Sequence, residues 1–230
     1  MSSSLLAQQL IQAVEAADSP AKLLKAVQEL ASARLEEGLP TLIAALGYNN
    51  PGAAVAAVDG LIQMGDLAVQ PLLDLLDGYN YSARAWAIRA LAGIGHPRAL
   101  DTLLEAAKND FALSVRRAAA RGLGNLRWHE LPVERVPLAQ FQVMDALFVV
   151  AQDPEWVVRY AAVVALQGLA RAMILTQPDS ISQILIQLQW VADSDGDLTV
   201  RTRAQFAQQA LNKTEQENSE PLPLRETRCS

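Results

Sequence analysis

Seven arginines crowd one segment of this 230-residue chain: Arg84, Arg89, Arg98, Arg116, Arg117, Arg121 and Arg127, with Lys108 as the one lysine among them. Tyr79, Tyr81, Trp86, Phe111 and Trp128 fall in or beside the same segment. A guanidinium stays charged, pairs bidentately with carboxylate or phosphate, and stacks on aromatic faces. Arginines interleaved with aromatic planes can therefore hold a flat, carboxylated ligand by ion pairing and stacking. The binding set expected on this chemistry is Arg84, Trp86, Arg89, Arg117, Arg121 and Trp128. Two further groups could move a proton on such a ligand: Asp110, the turn carboxylate nearest the cations, and His129, between Trp128 and Glu130.

Composition removes much of the competition. The net charge is −6, which argues against bulk nucleic-acid binding. That average conceals an asymmetry: residues 1–83 hold 3 basic and 9 acidic side chains, residues 84–127 hold 8 and 3, and residues 128–230 hold 8 and 13. The single cysteine, Cys229, allows neither an internal disulfide nor a thiolate cage, and two histidines, His96 and His129, do not suffice for a zinc site. No metal or resident cofactor is expected. A phosphate loop and a nucleophile elbow are both missing. There is no basic leader at the N-terminus and no run of about 18 apolar residues, so the expectation is a cytoplasmic protein without a membrane span.

The elements that must position the arginines show themselves as repeats. Leu72–Leu76 followed by Ala83–Gly95 recurs as Leu103–Ala107 followed by Val115–Leu126, and the second half returns at Val157–Leu166 and, more loosely, at Val200–Leu211. Each unit is a helix, a turn and a helix. Arg84, Arg116, Arg159 and Arg201 align, Ala54 takes that place one unit earlier, and the spacings are 30, 32, 43 and 42 residues. Asp110, Asp153 and Asp195 each stand six residues before an aligned arginine, where they can bond to the arginine of an adjacent unit. This is the pattern of HEAT-type repeats. It also supplies a structural role for Arg84, Arg116 and Asp110 as ladder residues and for Trp86 as core. Arg89, Arg117 and Arg121 lie outside the ladder register. Breaks at 47–52, 93–97 and 176–180 separate the helices, and an earlier degenerate unit runs through Leu5–Ile11 and Ala21–Ala31. The expected fold is an all-α solenoid of five to six HEAT-like helical pairs over residues 1–211. An insertion with two prolines interrupts it at 127–138, and residues 212–230 form a disordered tail.

Across Tyr81–Ala107 and Asp110–Trp128, with the run Tyr-Ser-Ala-Arg-Ala-Trp-Ala-Ile-Arg-Ala-Leu-Ala-Gly-Ile-Gly-His-Pro, the chain resembles the F-type subunit of the heterodimeric E/F phycobilin lyases. The likeness extends over about residues 40–211. It implies a lyase subunit that pairs with an E-type solenoid, binds an open-chain tetrapyrrole, and attaches phycocyanobilin by a thioether to a cysteine of the phycocyanin α subunit. The pigment is then a substrate. The nucleophile belongs to the acceptor, so the lyase needs no catalytic cysteine of its own.

A related type that also isomerises the pigment has an adjacent His-Cys pair, whereas His129 is followed here by Glu130; simple ligation is expected. Other classes fit the same repeats: a scaffold without ligand, an adaptor for phycobilisome degradation, or a lyase for phycoerythrobilin. The alanine-rich second helices bury little area per residue, so a partner should stabilise the chain through the N-terminal repeats, Leu5 to Leu46, or through the insertion.

Overall fold

The computed structural model describes residues 3–76, 81–174 and 176–219. Tyr79, Cys229 and the end of the expected tail, 220–230, lie outside the described residues, as does the side chain of Tyr81. Twelve α-helices follow one another among the described residues: α1 (Ser3–Glu15), α2 (Pro20–Ala33), α3 (Leu39–Ala45), α4 (Pro51–Met64), α5 (Asp66–Leu76), α6 (Tyr81–Ile94), α7 (Leu100–Asn109), α8 (Leu113–Leu123), α9 (Val136–Val150), α10 (Trp156–Met173), α11 (Ile181–Ser194) and α12 (Leu198–Ser219). They form six helical pairs, and among the described residues no helix is long and apolar enough to cross a membrane.

The second helix of each pair stacks on its counterparts, α2 on α4, α4 on α6, and so on to α12, while α1, α3, α5, α7, α9 and α11 cover them from outside. Small residues permit this stacking. Gly60 lies so close to α2 that a Cβ there would sit 2.6 Å from the Ala31 Cβ, and one on Gly122 would sit 2.5 Å from the Ala92 Cβ. Leu61, Ile88, Leu91, Leu123 and Leu166 are fully buried between the layers, each stabilising the stack by about 1.5–3 kcal/mol. The result is one apolar core running from Val14 to Leu211.

Helix starts follow the turn chemistry. Asn50 precedes Pro51, accepts from the Ala53 N–H at 3.1 Å, and donates through its amide to Pro20 O at 2.9 Å, joining the first two pairs. Further along, aspartate replaces asparagine. Asp110, Asp153 and Asp195 accept from the backbone N–H of Ala112, Glu155 and Asp197 at 2.9, 2.8 and 2.8 Å. Their other bonds run between units: Arg84 Nε donates to Asp110 at 3.0 Å, Arg116 donates twice to Asp153 at 2.7 and 3.1 Å, and Arg159 twice to Asp195 at 2.7 and 2.9 Å. Three of the aligned arginines also reach back within their own unit, Arg116 to Asp110 O at 2.9 Å, Arg159 to Asp153 O at 2.9 Å and Arg201 to Asp195 O at 2.6 Å. The ladder anticipated from spacing is present.

Two boundaries differ from the expectation. The insertion is two 3₁₀ turns, Trp128–Glu130 and Val133–Arg135, and α9 begins at Val136, because Pro137 suits the first turn of a helix. Helix α12 continues past Leu211 to Ser219, so residues 212–219 are helical where a tail was expected. Lys, Glu and Gln are adequate helix formers, and extending an existing helix needs no new nucleus.

The ladder makes two stability predictions. The Asp153 side chain is 8% exposed, so Asp153→Ala leaves the Arg116 guanidinium, 13% exposed, without its acid and should cost about 3 kcal/mol in urea unfolding. Adding Arg116→Met should recover part of that loss. The Asp195 carboxyl is pushed up by burial but held below its ordinary value of 3.8 by the Arg159 hydrogen bond, the Asp197 N–H and the charges of Arg159 and Arg201. Its contribution to stability is complete above that value and disappears as the pH falls through the lower folded-state pKa. Melting temperatures should therefore be flat above about pH 5 and fall below about pH 4, and Asp195→Asn should lower the plateau and shrink the acid drop.

Candidate functional site

The inner face of the stacked second helices is a groove of about 800 Å³, lined from α4, α6, α8, α10 and α12. Its floor is made of small residues, among them Ala85, Gly93, Ala118, Gly124, Ala165 and Gly168. Helices α8 and α10 meet through two of these glycines: a Cβ on Gly168 would lie 2.4 Å from Gly124 O. At the far end of α6, Gly95 adopts φ +70° with Asn125 O 2.3 Å from where a Cβ would stand, so glycine is required there on both counts. Small residues keep the floor open while larger side chains rise along the walls.

Those walls carry Trp86, Arg89, Arg117, Arg121, Arg171 and Arg203, against a single lining carboxylate, Asp59. Four of the six expected binding residues thus come together: Trp86, Arg89, Arg117 and Arg121. The Arg89 guanidinium lies 5.6 Å from the centroid of the half-buried Trp86 ring, a cation over an aromatic plane. Arg89, Arg117, Arg121 and Arg171 are exposed to the groove, and among the described residues none of them has a carboxylate within 4.0 Å. Several cations share one concave surface, each with unused donors.

The remaining expected residues sit elsewhere. Arg84 and Asp110 bond to each other in the ladder; the Asp110 side chain is 2% exposed and both its oxygens already accept hydrogen bonds. These contacts give both a structural role. Trp128 is half-buried against the core and His129 is exposed, and neither lines the groove. The chain turns them away after α8, where the Arg127 N–H donates to Gly95 O at 2.9 Å and the Arg127 side chain pairs with Asp66 and, at 2.9 Å, with Glu130. This edge brings the ligand atoms of Asp66, His96 and Glu130 within 4.8 Å of one another. It is a clasp in these contacts, not a cation cage: Arg127 neutralises both carboxylates, and His96 Nδ1 accepts from the Arg98 N–H at 3.0 Å, which leaves the proton of the neutral ring on Nε2, facing Glu130 at 3.6 Å. The Arg127 hydrogen bond holds the Asp66 carboxyl below its ordinary range.

Asp59, Arg171 and Arg203 escaped the sequence reading. The signal was present for the first. Arg89 and Arg121 each stand five residues after an aligned arginine, and the same offset from Ala54 gives Asp59 and from Arg159 gives Val164, both groove residues. Arg171 and Arg203 belong to longer helices whose groove face is set by packing.

Known proteins share this architecture and sequence. Residues 69–141 match a family model described as HEAT repeats, and residues 143–173 match one for the HEAT repeat. The chain is 59% identical over 206 residues to the phycocyanobilin lyase subunit beta of Pseudanabaena tenuis, covering 89% of this chain and 73% of that one. It is 62% identical over 164 residues to the phycocyanin alpha phycocyanobilin lyase CpcF of a Synechocystis strain, covering 71% and 77%. Among solved structures, a chain of the complex of CpcE and CpcF of phycocyanin lyase from Nostoc aligns with TM-score 0.67 and 50% identity, over 74% of this chain and 98% of that one. With its ladder, its six helical pairs and these identities, the chain belongs to the phycocyanobilin lyase subunit beta (CpcF) family of HEAT-repeat proteins.

Proposed function

We propose that the chain is the F-type subunit of a heterodimeric phycocyanobilin lyase, which holds the bilin in the inner groove and, with an E-type partner, presents it to a cysteine of the phycocyanin α subunit. The observation that carries this reading is the set of acid-free arginines around Trp86 over a floor of small residues. A bilin is a row of planar rings with two propionates. Trp86 offers a stacking plane, and Arg89, Arg117 and Arg121 offer paired donors for a carboxylate. The family relation supports the partner and acceptor.

The chemistry places few demands on this subunit. The acceptor thiol adds across the exocyclic ethylidene double bond: sulfur bonds to the ethylidene carbon, the proton goes to the adjoining ring carbon, and nothing leaves. Neither cysteine nor histidine is found among the groove's lining residues, in keeping with a nucleophile supplied by the acceptor. The groove's work is to fix the pigment so that this carbon meets the thiol, which replaces a bimolecular encounter by a positioned one. Of the acid and base groups considered, Asp110 is bonded to Arg84 and His129 lies outside the groove, so a proton relay from this chain falls to Asp59. The bilin passes through as substrate without a resident cofactor, and the composition suits a reducing, cytoplasmic setting.

Co-expression of the phycocyanin α subunit, a phycocyanobilin pathway and an E-type partner tests the proposal. Covalent pigment, scored by zinc fluorescence on a denaturing gel and by absorption maximum, should depend on this chain. Arg89→Gln, Arg117→Gln and Arg121→Gln should each weaken bilin binding to the assembled heterodimer by about tenfold, corresponding to one charge-assisted hydrogen bond. Pigment attachment that is indifferent to omission of the chain would instead favour a scaffold, and non-covalent pigment alone would favour a degradation adaptor.

A further inference from the structure

At the C-terminal end of the groove, Arg203 differs from every rung of the ladder. The ladder arginines each meet an acidic turn residue or its carbonyl, whereas Arg203 meets no acid among the described residues. Its Nη2 donates to Oε1 of the buried Gln167 at 2.6 Å, and the guanidinium lies 5.4 Å from the centroid of the exposed Phe206 ring. Its Nη1 is buried and makes no hydrogen bond. Arg171, a second lining cation, stands near enough for its charge to be felt. Burial pushes the Arg203 guanidinium below the ordinary arginine range, the neighbouring Tyr160 hydroxyl opposes that, and the like charge of Arg171 adds to it.

A half-buried cation beside a like charge is costly in a fold that gives Arg84, Arg116 and Arg159 an acid. An anion entering the groove offsets the like charge of Arg171, since Arg203 lines the groove and meets no acid of its own among the described residues. Gln167 and Phe206 orient the guanidinium in advance: the amide fixes one end of the fork and the ring supports its face. Neither could hold an anion by itself. Both neutral partners also leave the positive charge unspent, as an aspartate in their place would not.

We propose that Arg203, positioned by Gln167 and Phe206 and joined by Arg171, is a second carboxylate subsite of the groove and receives one propionate of the bilin, while Arg89, Arg117 and Arg121 serve the other. The inference rests on the bilin reading of the groove. It assigns α10 and α12 a part in pigment recognition, and so requires the pigment to extend across the groove from the α6 and α8 wall.

The test compares phycocyanobilin with its dimethyl ester, in which both propionates are neutral, for binding to the purified heterodimer by absorption titration. Arg203→Gln should weaken binding of the free acid by about tenfold and leave binding of the ester within about twofold of the wild-type value. An equal loss for acid and ester would mean that Arg203 only shapes the groove, and no loss for either would mean that it is not used; both overturn the inference. Arg203→Lys, which keeps a charge but not the fork, carries the same comparison should the glutamine variant fail to fold, as judged by its melting temperature. A wild-type pair that binds neither pigment would instead refute the bilin reading itself, and the subsite with it.

Discussion

The ion pair between a turn aspartate and the arginine of the preceding unit is the contact on which the solenoid depends. A helical pair alone cannot bury its apolar faces, and stacking alone does not fix the angle between neighbours. The aspartate does two things at once: one oxygen receives a backbone N–H at the start of its helix, and the carboxylate grips the guanidinium one unit back. Because the arginine also bonds a carbonyl in its own turn, adjacent turns are held at both ends of one side chain. Toward the N-terminus the units are joined without charge: Asn50, four residues before the buried Ala54, bonds Pro20 O. At the other end Arg201 bonds only the carbonyl of Asp195, since no further unit follows within the described residues.

With one end of the second helices tied by the ladder, their opposite ends close through glycine, Gly124 against Gly168 and Gly95 against Asn125. The groove lies between these two lines of contact. Arginine therefore occurs in two electrostatic states a few positions apart: Arg84, Arg116 and Arg159 are neutralised and structural, while Arg89, Arg117, Arg121 and Arg171 face the groove without an acid. The difference is register, not residue type. A guanidinium on the ladder face meets the next turn, and one turned by about a third of the helix meets the groove.

That dependence on register explains what the sequence disclosed. The periodicity revealed the helical pairs, the aligned arginines and aspartates revealed the ladder, and the offset of Arg89 and Arg121 from it marked the groove face. Trp128 and His129 follow the arginines closely in sequence, yet neither lines the groove. The Arg127 side chain, pairing with Asp66 from an earlier unit, directs the insertion along the edge, and a contact spanning 61 residues has no local signature. Arg203 was hidden for another reason. It stands two residues from the aligned Arg201, and the bond from its Nη2 to the buried Gln167, with no acid beside it among the described residues, distinguishes it from an ordinary surface cation.

The open shape of the groove also bears on why members of this family work in pairs. Arg89, Arg117 and Arg121 are exposed to water, and an exposed ion pair contributes about 0–1 kcal/mol. A dianionic pigment lying in this groove alone would gain little from its propionates and would leave one face of its rings in solvent. A second solenoid laid over the groove changes both terms, since it lowers the effective dielectric around the same guanidiniums and covers the exposed ring face. Affinity would then arise on assembly, so that pigment is held firmly only where both halves are present. A groove rich in arginine and floored with glycine and alanine is suited to being completed by a partner, and a relative that aligns over 74% of this chain is solved in such a pair, the complex of CpcE and CpcF.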